Sequence, residues 1–259
     1  MSDIEVRRVG AAQLLRFNRP LKKNALTGAM YGTLADAIAE GERDPKVAAH
    51  AFIGSGGEFT AGNDIGEFLA AASDDGTTLR NVLRFVTLLP QVEKPMLAGV
   101  EGLAVGVGTT LLFHCDLVYA TANARFQTPF VDLGLVPEAA SSLLMPRRLG
   151  YGRAFEMLVL GSTFPAERMR EAGLVNAVVG ADDLEVTLLK AAAALAAKPP
   201  GALAAARRLM RGDIREVSRR IEDEAAIFVK ALRSPEAREA FQAFVEKRPP
   251  DFSKLAGDA

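Results

Sequence analysis

The chain has 259 residues, 49% of them hydrophobic, enough to bury roughly three quarters of its unfolded surface in one large domain, or in a main domain with an appendage. Its 31 Lys and Arg against 32 Asp and Glu leave a net charge of -1, which argues against nucleic acid or an anionic membrane as partner and leaves phosphate binding to local basic clusters. With one cysteine, Cys115, and only His50 and His114 as histidines, an internal disulfide and a zinc-type ligand cluster are excluded, and no metal cofactor is expected.

The opening Met1-Ser2-Asp3-Ile4-Glu5 is polar and acidic, without the basic and apolar regions of a secretory signal, so a cytoplasmic location is expected. Residues 4–7 and 13–17 read as two short strands joined across Gly10 and ending at the turn Asn18-Arg19-Pro20. Thr27 has the character of an N-cap, and Met30, Leu34, Ala37 and Ile38 recur on one face of a helix running to about Glu42. Residues 48–53 read as a buried strand closed by Gly54-Ser55-Gly56-Gly57. A helix over 78–89, a strand over 95–100, a short apolar helix over 107–113 and a strand over 116–120 follow. The apolar stretch over 102–113 is well short of the roughly 20 residues a membrane-spanning helix needs, so no membrane partner is expected. This alternation predicts the α/β class, with a mostly parallel sheet covered by helices.

From Pro137 onward glycines and prolines separate amphipathic runs, with one more strand over 175–179. After Lys198-Pro199-Pro200-Gly201 only helices are expected, so residues 1–199 read as an α/β core and 200–259 as a C-terminal helical region. Ile221, Ala225, Phe228 and Leu232 form an apolar stripe there that must be covered by the chain's own core or by another subunit.

Two glycine-flanked turns carry the chemistry. Phe59-Thr60-Ala61-Gly62-Asn63-Asp64-Ile65 has small side chains that leave the Ala61 amide accessible, and Asn63 and Asp64 suit a helix cap. In Gly102-Leu103-Ala104-Val105-Gly106-Val107-Gly108, Val107 opens a helix whose first amides lack intrahelical partners and attract negative charge. Taken singly, each is equally an ordinary loop. Aimed at one oxygen, they make an oxyanion hole. The acidic residue that follows, Glu138, reads either as the base of such a site or as a first-turn acid behind Pro137. Asp132 is a second candidate acid that either faces the pocket or, the preferred reading, is a solvated loop residue, and Asp64 and Glu67 read as capping or solvated acids. His114-Cys115-Asp116 is not a nucleophile arrangement, because adjacent helical side chains diverge and a lone buried cysteine is inert.

Together these segments resemble the crotonase superfamily, the enoyl-CoA hydratase/isomerase family, over nearly the whole chain. The matching pieces are Asn18-Arg19-Pro20 with Asn24-Ala25-Leu26, the two glycine-flanked turns, Cys115-Asp116-Leu117-Val118-Tyr119-Ala120, and Glu171-Ala172-Gly173-Leu174-Val175. The resemblance implies a spiral of strand-strand-helix turns, with C-terminal helices that mediate homotrimers or dimers of trimers. It implies an acyl-CoA substrate whose thioester oxygen sits between the Ala61 and Val107 amides, coenzyme A being part of the substrate and no separate cofactor being needed. The ligand-binding set it implies also takes in Lys22, Asn24, Ala25, Gly62, Asn63, Asp64, Ile65, Gly106, Phe130 and Leu135. Lys22 and Lys23 sit where the nucleotide part of the ligand belongs, or form a solvated turn; Lys247 and Arg248 are a second cationic pair. The segment over 68–89 is placed at the end of the acyl tail.

Hydratases of this superfamily use two glutamates, whose places fall here on Thr110 and Phe130. Neither ionises near neutral pH. The stretch from Thr128 to Ser142 instead resembles the peroxisomal-type Δ3-Δ2-enoyl-CoA isomerases, in which one glutamate, here Glu138, moves a proton from C2 to C4. The expected activity is therefore enoyl-CoA isomerisation, with hydration in fatty-acid β-oxidation and non-catalytic acyl-CoA binding as alternatives. A dinucleotide-binding reading of Gly106-Val107-Gly108 fails, because the last glycine of that fingerprint falls on Leu111.

Overall fold

The computed structural model describes residues 2–70 and 76–255. Strands β1 (Ile4–Val9) and β2 (Ala12–Phe17) form the expected hairpin, Val9 pairing with Ala12 around Gly10. Helix α1 (Gly28–Arg43) is capped by the Thr27 hydroxyl, which accepts from the Met30 amide at 3.2 Å. It buries Met30, Tyr31, Leu34 and Ile38 on the face the periodicity marks. Then come β3 (Ala49–Gly54), α2 (Ile65–Ala70), α3 (Thr77–Leu88), β4 (Met96–Val100), β5 (Leu103–Val105), α4 (Val107–Thr110), β6 (Leu117–Thr121) and β7 (Arg125–Gln127). The second half contains α5 (Ser141–Leu149), α6 (Tyr151–Leu158), β8 (Phe164–Pro165), α7 (Ala166–Glu171), β9 (Ala177–Val179), α8 (Ala181–Ala196), α9 (Pro200–Arg211), α10 (Ile214–Leu232) and α11 (Pro235–Glu246).

The main sheet has the order β1-β2-β3-β4-β6-β9, parallel from β2 onward. Side chains alternate across it, so Leu15, Phe17 and Phe52 enter the core beneath α1 and α3, while Leu14, Ala51, Ile53 and Leu97 pack on Leu184 and Leu188 of α8. Gly99 allows that close approach, since a Cβ there would lie 2.6 Å from Leu188 Cδ1.

A second sheet, β5-β7-β8, stands beside the first. Its strands have two or three residues and show no period in the sequence. The apolar helix expected over 107–113 is α4 for its first four residues and then tightens into a 3-10 turn over Leu111–His114. Beyond residue 199 the regular elements of the described residues are all helices, as expected. Of the stripe on α10, Ile221 and Phe228 are buried and Ala225 and Leu232 half-buried, and α10 packs on α3 and α5.

Candidate active site

The two glycine-flanked turns lie side by side because their backbones are stitched together. The Phe59 amide donates to Glu101 O at 2.7 Å, Thr60 to Leu103 O at 2.8 Å and Val105 to Thr60 O at 3.0 Å. Thr60 bridges Ala104 in parallel register. Gly62 is required at this crossing: its φ is +84°, and a Cβ would lie 2.8 Å from Val105 O.

Which amides remain free is decided by the segment over 23–26, which runs along the first turn. Ala61 N–H donates to Lys23 O at 2.9 Å, Gly62 N–H to the Thr60 hydroxyl at 3.1 Å and Asp64 N–H to Leu26 O at 2.9 Å. The expectation for Ala61 is therefore corrected, because its donor is already used. Among the described residues the amides of Asn63 and Val107 have no protein acceptor, and both residues line one cavity of about 550 Å³. Val107 is the first residue of α4, so its N–H is among those a helix leaves unpaired.

Glu138 lines the same cavity. Its Oε1 accepts a short hydrogen bond from the hydroxyl of Thr110, one turn along α4 from Val107. Burial pushes the Glu138 carboxyl up to about 7, the Thr110 bond opposes that rise and the nearby charge of Glu224 adds to it. Phe130, Leu135 and Phe228 supply apolar wall, and α11 closes the cavity with Ala240, Phe241 and Phe244. The buried Tyr31 hydroxyl donates to Asn63 Oδ1; burial, and secondarily the Glu138 charge, push its pKa well up, so it stays a donor. α3 contributes Leu79, Val82, Leu83 and Val86 to a small cleft of about 30 Å³ beside Glu138, on the segment expected at the acyl tail. Residues 71–75 of that segment lie outside the described residues.

Of the expected ligand set, Ala61, Gly62, Asn63, Ile65, Gly106, Val107, Phe130, Leu135 and Glu138 line the cavity. Four do not. Asn24 is completely buried, its carboxamide accepting from Arg19 N at 2.8 Å and donating to Ser55 O at 2.9 Å and Glu58 O at 2.6 Å. It braces the turn instead of touching a ligand. Asp64 is paired with Arg19 at 2.7 Å, which holds its carboxyl below the usual range. The Ala25 carbonyl accepts from the same guanidinium at 3.0 Å, and Lys22 is exposed at the surface.

Asp132 is exposed but does contribute to the cavity lining, as does Arg248, whose guanidinium pairs with Glu239 at 2.5 Å and Glu246 at 2.6 Å. Lys247 is exposed. Cys115 is buried with its thiol pushed far up by burial, and His114 is driven down to about 4 and stays neutral, which agrees with the rejection of a nucleophile there. Sequence reasoning missed Thr110 as a partner of Glu138, Tyr31 as a partner of Asn63, and Glu224. Only Thr110 left a signal, the three-residue helical spacing from Val107 that puts both on one face.

The family model for enoyl-CoA hydratase/isomerase matches residues 9–255. The chain is 34% identical over 248 residues to enoyl-CoA delta isomerase 2 of Rattus norvegicus, covering 93% of this chain but only 62% of that longer protein. It is 32% identical over 255 residues to 2,3-dehydroadipyl-CoA hydratase of Escherichia coli K12, covering 97% of this chain and 99% of that one. A solved enoyl-CoA hydratase/isomerase from Pseudoalteromonas atlantica T6c superposes with a TM-score of 0.91 at 38% identity, covering 97% of this chain and 100% of that one. With a family match across nearly its whole length and a fold shared end to end, the chain belongs to the enoyl-CoA hydratase/isomerase family, as an acyl-CoA enzyme.

Proposed function

We propose that the enzyme is a Δ3-Δ2-enoyl-CoA isomerase in which Glu138 carries one proton from C2 to C4 of the acyl chain. The observation that carries this reading is the carboxyl inventory of the cavity. Among the described residues two carboxylates line it, of which Glu138 is half-buried and Asp132 exposed.

The reaction then runs in two steps. The Glu138 carboxylate takes a proton from C2 of the 3-enoyl thioester, and the C–H electron pair moves onto the thioester, leaving an enolate whose charge gathers on the carbonyl oxygen. Donors from the Asn63 and Val107 amides meet that charge, stabilising the transition state more than the ground state. As the carbonyl reforms, the C2–C3 double bond forms and the former C3–C4 pair takes the proton back from Glu138 at C4. A carboxyl with a pKa of about 7 suits both halves, being basic enough to accept and acidic enough to return the proton at neutral pH.

The two places where hydratase glutamates belong support the same reading. Phe130 offers no proton, and Thr110 spends its hydroxyl on Glu138 itself. Coenzyme A enters as part of the substrate, with the exposed Lys22 and Lys23 proposed for its phosphates. The exposed Leu209, Met210, Phe244 and Val245 support the assembly of copies that the resemblance implies.

Similarity to a protein named a hydratase favours a second reading, hydration of a 2-enoyl-CoA. That reaction needs a second group to position and activate water, a task that would fall to the exposed Asp132. Measuring 3-enoyl-CoA isomerisation and 2-enoyl-CoA hydration side by side tests the choice. Isomerisation is expected to be the faster; faster hydration overturns the proposal.

A further inference from the structure

We propose that Glu224 and His114 are positioning residues that hold the turn Glu138-Ala139-Ala140 in the conformation that presents the Glu138 carboxyl to the cavity. The inference rests on the reading of Glu138 as the proton carrier.

The turn needs holding. Ala139 and Ala140 have φ values of +55° and +56°, two consecutive left-handed residues without a glycine, directly after the residue whose carboxyl must be aimed. L-residues stay in that region only where their surroundings over-determine it. Ala140 is also the N-cap of α5, and its methyl side chain cannot accept a hydrogen bond from the exposed first-turn amides.

Two nearly inaccessible side chains from elsewhere in the fold supply what the turn lacks. Glu224, on α10 and 6% exposed, accepts from Ala140 N at 2.6 Å, from Ser142 N at 3.0 Å and from the Ser142 hydroxyl. His114, in the turn after α4 and 5% exposed, donates Nε2–H to Ala139 O at 2.8 Å. One clamps the amide side of the turn, the other its carbonyl side. Both lie outside the 550 Å³ cavity lining, and although Glu224 also borders the small cleft beside Glu138, the hydrogen bonds of both run to the turn itself.

Glu224 has a second consequence, because its charge raises the proton affinity of Glu138. The other groups around Glu138 are Thr110 on α4, Tyr31 on α1, and Asp132 and Arg248 in the cavity lining; Arg220 on α10 donates to the Ser142 hydroxyl at 3.1 Å. Of these only Thr110 and Glu224 are causes of the Glu138 shift besides burial. His114 is neutral and adds no charge.

The experiment compares E224Q, H114L, E224Q/A140G and E138Q in the full-length enzyme, reading kcat, KM, the pH profile of kcat/KM, butyryl-CoA binding and thermal unfolding. Glutamine at 224 replaces one of the two acceptor oxygens with an NH2 group, which then faces either the Ala140 or the Ser142 donors. E224Q is expected to lose roughly tenfold or more in kcat with KM and butyryl-CoA affinity within about twofold, and to move the acid limb of kcat/KM to lower pH. H114L is expected to lower kcat while leaving that limb in place, and it keeps the test open should E224Q fail to fold. Glycine at 140 accepts the left-handed conformation without strain, so E224Q/A140G is expected to recover part of kcat but not the limb.

Folded E224Q and H114L with unchanged kcat and unchanged limb, beside an inactive E138Q, overturn the inference and leave the proposed function standing. A loss of stability and rate in E224Q with no limb shift and no rescue by A140G also overturns it, reducing Glu224 to a structural cap. An active E138Q instead removes the function on which the inference rests.

Discussion

The Thr110 hydroxyl donates to Oε1 of Glu138, so the side chain at the place of a hydratase glutamate serves the less exposed of the two carboxyls that line the cavity among the described residues. A donor to the ionised form favours ionisation, and this bond opposes the rise that burial causes. T110V removes it while keeping shape. Hydrogen bonds to charged groups contribute about 1.5–3 kcal/mol, so the acid limb of kcat/KM is expected to move up by about 1–2 pH units from a midpoint near 7. A pH profile of wild type and T110V checks this; a limb that stays or falls contradicts it.

Deleting one backbone donor isolates the oxyanion hole. Val107 is the first residue of α4, where proline is tolerated because that amide has no intrahelical partner. V107P is therefore expected to keep the fold and lose about 10²–10³ in kcat. V107A, which keeps the N–H, serves as the control. Stopped-flow or steady-state kinetics of the pair, with circular dichroism for the fold, decide the matter.

Gly134 sets the seat of α11. Its φ is +65°, and a Cβ would come within 2.7 Å of the Ala237 amide. Because α11 carries Ala240, Phe241 and Phe244 into the cavity lining, G134A is expected to push the helix outward. The cost is about 1–3 kcal/mol of stability, with a several-fold rise in KM, readable by thermal unfolding and kinetics.

Asp64 is assigned to structure by its pairing with Arg19 at 2.7 Å. D64N is expected to cost about 1 kcal/mol at neutral pH and to leave KM unchanged. The Asp64 carboxyl is depressed in the folded state, so its contribution is present above the unfolded value near 3.8 and is lost as pH falls through the lower folded value. Denaturation at pH 7 and pH 3 is expected to show the wild-type advantage shrinking with acid.

Much of the architecture was legible. Thr27 announced α1, Met30, Leu34 and Ile38 marked its buried face, and the apolar run over 95–100 marked the central strand β4, because burial on one face or both leaves a period or a run. β5, β7 and β8 left none, being too short to show alternation. The site was legible as a pair of turns and a carboxyl. The free amide was misplaced by two residues, because the Lys23 carbonyl that occupies Ala61 N–H belongs to a distant segment. Glu224 was invisible for a similar reason: a glutamate in a charged helix gives no hint that it folds against the turn over 138–142.

Glu138 also links activity to stability. Its folded pKa of about 7 lies above the ordinary carboxyl value of 4.5, so the folded state binds more protons between those values. The sign follows: folding is most favoured below the unfolded value, weakens as pH rises towards 7 and levels off above. E138Q removes the buried charge and is expected to be more stable than wild type at pH 8, by up to about 3 kcal/mol, with the gap closing at pH 5. Chemical denaturation at the two pH values reads this directly.

The rate of 3-enoyl-CoA isomerisation by E138Q at saturating substrate decides whether Glu138 carries the proton. A fall of roughly 10³-fold or more in kcat is expected, with butyryl-CoA affinity retained. An E138Q enzyme that binds the acyl-CoA and turns it over within a few-fold of wild type rules out Glu138 as the proton carrier.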